Sequence, residues 1–300
     1  MNHNQIYQEF GFMSVISRGA VPSPSEKQLI DEPLIISDIK TEFGVHNGLR
    51  SVSCLSDQDL WMCGEDNLMR LYSLEGNLVK AIQTKSRNVP VDITVTRNGE
   101  LVYTDEKEKT VNVVKNKTVK KLISYAEWMP CGVCSTSSGD LLVILNSNSN
   151  TQTKVVRYFG SKEKQVIQLN EEGQSLFSSG YSKRYITENR NLDICVSDCI
   201  GCSVVVVNKA GKHRFTYTGL PSTSKDSFDP RGIATDSQSQ ILTTDFTHRR
   251  VHILDQDGAF LRYIANCDLD CPWDLCLDSR NNLFVAEWET GKVKKIQYRN

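Results

Sequence analysis

No apolar run among the 300 residues approaches the roughly 18 needed to cross a bilayer as a helix, and residues 1–24 lack the basic stretch and apolar core of a secretory leader. The expectation is a cytoplasmic chain with no membrane partner. Excess charge of either sign is also missing: 35 Lys and Arg stand against 36 Asp and Glu, a net charge of −1, so no global basic field draws the chain to nucleic acid. Histidine is scarce. The five, His3, His46, His213, His248 and His252, do not pair at zinc-finger spacing with Cys131-x-x-Cys134 or Cys199-x-x-Cys202. Those cysteines read as core residues, with no metal and no cofactor expected. A Gly-x-Ser-x-Gly elbow, which would present a nucleophilic serine, is absent too. Catalysis by a metal-dependent hydrolase or lyase propeller is accordingly the lesser alternative, and the chain is expected not to be an enzyme by itself.

What is present is repetition. Residues 228–258 hold three short apolar runs, Gly232 to Ala234, Ile241 to Thr243 and Val251 to Leu254, separated by turn formers such as Asp257-Gly258, and Phe260 to Ile264 supplies a fourth. This four-strand unit recurs. Aligning the aliphatic of each second strand with the residue four positions later gives Leu60/Gly64, Leu101/Asp105, Leu142/Asn146, Ile194/Asp198, Ile241/Asp245 and Leu283/Glu287, at intervals of 41, 41, 52, 47 and 42 residues. A period of about 40 to 50 residues with four strands per unit predicts a β-propeller. The expected fold is all-β, six four-stranded antiparallel blades, near residues 46–87, 88–127, 128–175, 176–227, 228–270 and 271–300.

The last unit offers only three strands. Leu29 to Ser37, interrupted by Pro33 and so suited to an outer strand, is predicted to supply the fourth and close the ring. Residues 1–28, with Pro22-Ser23-Pro24-Ser25, read as a tail or linker, and 29–300 as one domain. Pro90, Pro130, Pro230 and Pro272 precede innermost strands and read as fixed turns between blades. Asp105, Asp198, Asp245 and Glu287 recur where the second strand ends and are expected to be structural, accepting backbone N–H bonds in their own loops.

In blade five, Asp245-Phe246-Thr247-His248-Arg249-Arg250-Val251, followed by Ile253, Leu254, Asp255 and Gly258, resembles the NHL repeat. Blades two, four and six keep the acidic residue and the later aliphatic (Val111, Val204, Val293) but replace the arginine. Over residues 29–300 the chain resembles the C-terminal six-bladed propeller of tripartite-motif (TRIM-NHL) ubiquitin ligases, without their RING, B-box or coiled coil. That resemblance implies a non-catalytic, substrate-recruiting module with a protein partner, RNA binding as the alternative, no small-molecule substrate, and a monomer. The recognition face would be the loops at one end of the ring. Its candidates are Arg50, Lys107, Arg184, Arg231, Phe246, His248, Arg249, Trp273 and Trp288, a mixture of arginine and aromatics typical of interface hot spots.

Overall fold

The computed structural model describes residues 28–221 and 227–300, so the expected tail at 1–28 lies almost wholly outside the described residues, as does part of the loop after blade four. The described residues form six antiparallel sheets of four strands each. The innermost strands are Ser51–Cys54, Ile93–Val95, Trp128–Ser135, Tyr185–Glu188, Pro230–Thr235 and Pro272–Leu277. Five blades take their four strands consecutively. The sixth is completed by Leu29–Lys40, which pairs antiparallel with Lys292–Arg299 from Leu29↔Arg299 to Lys40↔Lys292, so the closure read from Leu29 to Ser37 holds and runs three residues further.

Burial explains the composition of each strand. Second strands such as Leu101–Asp105 and Ile194–Asp198 are buried throughout and carry near-continuous apolar runs. Fourth strands, such as Thr118–Ser124, lie at the rim, mostly exposed, and carry lysines. Each blade therefore has two apolar faces near the axis, and the stable solution is to pack both against neighbours. The buried residues fall into six apolar clusters, one at each junction between adjacent blades.

The junctions are tightest at the axis. An ideal Cβ on Gly132 would lie 2.5 Å from the Arg184 carbonyl oxygen, and one on Gly232 would lie 2.5 Å from Asp274 Cα. Only glycine lets the next blade come so close. The equivalent place, just before the first buried aliphatic of each innermost strand, holds Ser51, Asp92, Gly132, Tyr185, Gly232 and Asp274. Five are small or acidic. The sixth is a tyrosine, and it shapes the channel.

Candidate active site at the channel mouth

Tyr185 is 4 % exposed, and its ring crosses the axis from blade four. Its hydroxyl donates to the Arg50 carbonyl of blade one at 2.5 Å and accepts from Trp273 Nε1–H of blade six at 2.6 Å. The channel is thereby barred. Below the bar lies a cavity of about 220 Å³ lined by Asp92, Thr94, Thr187, Thr235, Asp274 and Cys276, among others.

Two carboxyls flank Tyr185. Asp92 accepts from Ser51 Oγ and from the Val133 and Ile93 amides, each at 2.8 Å, and Asp274 accepts from the Val52 amide at 2.9 Å. Each acid thus ties its blade to the next. Burial pushes Asp92 up to about 6, and burial followed by the neighbouring Asp92 charge raises Asp274 well above the usual carboxylate range.

Above the bar the loop before blade four's innermost strand turns two side chains inward. Tyr181 Oη meets Glu106 Oε2 of blade two at 3.2 Å, spanning the mouth. Lys183 stands on the same loop two residues after Tyr181 and feels the charges of Arg50 and Glu65 from blade one and Glu106 from blade two. Burial first, and then Arg50, lowers Lys183 to about 8, while burial raises Glu106. Arg50 is ion-paired to Glu65 alongside. A lysine that holds its proton less tightly than usual and a glutamic acid that holds its own more tightly therefore stand at the same end of the channel, a pattern seen in acid–base sites.

The candidate residues read from the sequence divide into three groups. Arg50, Arg231, Phe246, Trp273 and Trp288 do gather around the mouth: the Arg231 guanidinium lies 4.7 Å from the Trp273 ring centroid and 5.5 Å from that of Phe246, and Trp273 and Trp288 stack at 5.6 Å. Lys107, His248 and Arg249 sit on the hairpin loops farther out. His248 Nδ1 contacts Asp245 at 2.9 Å and Arg249 pairs with Asp270 at 3.3 Å. Arg184 is a correction. It is fully buried between blades three and four, donating to Asp198 at 2.8 Å, Asn146 at 3.1 Å and the Ser178 carbonyl at 2.7 Å, so it cannot belong to a recognition face.

The repeated acids are the last residues of their strands, and their bonds reach beyond their own loops. Asp105 accepts from the Glu108 amide and Asn88, Asp198 from the Ser178 amide and Arg184, Asp245 from the Asp229 amide, His248 and His252, and Glu287 from the Asp270 amide and Thr290. Each clamps the incoming loop of its blade. Among the described residues, no three His, Cys, Asp or Glu side chains converge in a way that could hold a metal ion.

Fold and mouth together define a six-bladed propeller with displaced titratable groups at one end. No protein-family model matches the chain, and no curated protein matches it. Solved structures do. Virginiamycin B lyase from Staphylococcus aureus is similar at 12% identity, covering 89% of this chain and 99% of that one with a TM-score of 0.62. A gluconolactonase from Xanthomonas campestris is similar at 11% identity over 92% and 99%, TM-score 0.66, and the WD40 propeller domain of Doa1 at 12% over 89% and 98%, TM-score 0.59. At such identities the likeness establishes the fold.

These findings correct two expectations. The reading as a non-catalytic recruiting module of the ligase type, with RNA as its alternative, fails because two of these propellers are enzymes, a lyase and a gluconolactonase, and none is a tripartite-motif ligase. The expectation that the chain is not an enzyme is corrected with it, since the similar structures point to the hydrolase or lyase propeller that stood as the lesser alternative.

Proposed function

We propose that the chain is a hydrolase- or lyase-class enzyme acting on a small molecule at the channel mouth, with Lys183 as the base and Glu106 as the acid. The observation that carries it is the Tyr181–Glu106 bond across the mouth at 3.2 Å, two residues before Lys183 on the same loop, together with the opposed displacement of Lys183 and Glu106. Neutral Lys183 takes a proton from the substrate or from water, and protonated Glu106 gives one to the departing oxygen. Tyr181 fixes the Glu106 carboxyl, and Arg231 lies against the Trp273 and Phe246 rings, which meet edge to face at 5.5 Å beside the mouth. The gluconolactonase and lyase among the similar structures make lactones and streptogramin-type compounds the first substrates to try.

The test has two arms. Competitive labelling with an amine-selective acylating reagent should modify Lys183 with a midpoint near pH 8. Turnover of a lactone panel should vanish in Lys183→Met and Glu106→Gln. A Lys183 that labels with an ordinary lysine midpoint would end the assignment.

No helix among the described residues is long and apolar enough to cross a membrane. Ten free cysteines support a reducing, cytoplasmic setting. We also take residues 29–300 as a single domain, supported by the six shared cores, with the NHL-like pattern of blade five as a mark of blade ancestry and the monomer as the working state.

A further inference from the structure

We propose that Cys54 and Cys276 are a redox pair that closes into a reversible disulfide and staples the seam of the ring. They lie on the innermost strands of blades one and six, the junction where the two ends of the propeller meet, with their Sγ atoms 3.1 Å apart. A disulfide bond is about 2.05 Å long, so the sulfurs need move by only about an ångström. Their opposition is held by the backbone. The Asp274 carboxylate grips the Val52 amide at 2.9 Å two residues away on both strands, fixing the register that keeps the sulfurs facing.

Both thiols are partly exposed and reachable. Cys276 lines the cavity below Tyr185, and Cys54 lines a neighbouring groove at the same end of the channel. Other cysteines differ. Cys131, for instance, is buried, and burial pushes its thiol up to about 12, which suits an inert core residue.

The oxidant is a peroxide. The Cys54 thiolate attacks one peroxide oxygen, the O–O bond breaks, and the departing hydroxide takes a proton to become water, leaving a sulfenic acid. The Cys276 sulfur then attacks the sulfenic sulfur and expels a second water as its proton is lost. Two thiols and one hydrogen peroxide give one disulfide and two waters, the sulfurs losing the two electrons the peroxide gains. Exchanging the roles of the two sulfurs leaves the balance and the product unchanged. The bond would join positions 222 residues apart and hold blades one and six together independently of the N-terminal strand.

The experiment exposes the full chain to hydrogen peroxide, blocks the remaining thiols and maps the peptides. The expected result is a Cys54–Cys276 linked peptide, loss of two of the ten titratable thiols, recovery with dithiothreitol, and a thermal midpoint raised by roughly 5 °C. Cys54→Ser and Cys276→Ser should each abolish the rise. Sulfinic or sulfonic acid at Cys54 without a linked peptide, or links formed only among other cysteines, would overturn the pairing, and a linked peptide with no thermal shift would overturn the stapling. Mapping the unaltered chain keeps the test valid even if a serine variant fails to fold.

Discussion

Asp92 and Asp274 hold protons more tightly in the folded ring than in the unfolded chain, because burial disfavours two carboxylates at one axis. A raised folded value gives stability that is complete below the unfolded value of about 3.8 and is lost as pH climbs through the folded one, about 6 for Asp92. Asp274→Asn keeps an oxygen for the Val52 amide and removes one of the competing charges. The variant should therefore melt higher than wild type at pH 7 and lose that advantage toward pH 4, as followed by thermal midpoints against pH. A midpoint that stays lower at every pH would show that the ionised pair is satisfied where it stands. Other carboxylates, such as Asp66 and Asp245, are held down by their partners and tilt the absolute profile the other way, so the difference between the two proteins is the quantity to read.

At the scale of the strand and the blade, the N-terminal strand does the closing. Ile39 is 1 % exposed in the apolar cluster between blades six and one, and Leu29–Lys40 saturates the edge that Lys292–Arg299 would otherwise present. Removing residues 1–40 should lower the midpoint by roughly 10 °C or more, with aggregation through the bared edge, measured by calorimetry and light scattering. An unchanged midpoint would mean the ring closes without it. This element was legible in the sequence because its apolar run, its Pro33 and the three-strand last unit were all local signals of strand count. The mouth was not. Tyr185 meets residues 88 and 135 positions away, and Tyr181 meets Glu106 across 75 positions, separations to which no repeat or period refers. Arg184 was misplaced for a related reason: it stands in the same frame as Arg231, yet the longer loop before blade four turns it inward to Asp198 and Asn146. The departure visible in the string was a tyrosine where five blades carry serine, aspartate or glycine.

For the molecule as a whole, Tyr185 decides that the channel is two compartments, the mouth above and the cavity below. Tyr185→Phe preserves the bar but deletes both bonds of the hydroxyl, leaving Trp273 Nε1–H and the Arg50 carbonyl without that partner. The expected loss is about 1–3 kcal/mol in denaturant unfolding, with the Lys183 labelling midpoint near pH 8 retained. If stability is untouched, the hydroxyl contributes nothing to holding blades one, four and six in place.

The closing strand also sets a timetable. Synthesis runs from the N-terminal side, so Leu29–Lys40 is made before all six blades it helps to close and must wait, edge bare and with Ile39 uncovered, until its partner Lys292–Arg299 has followed. Propellers closed this way cannot complete themselves blade by blade during synthesis. Their vulnerable interval is the length of translation itself, and slow decoding late in the message should cost more soluble protein than the same delay placed early.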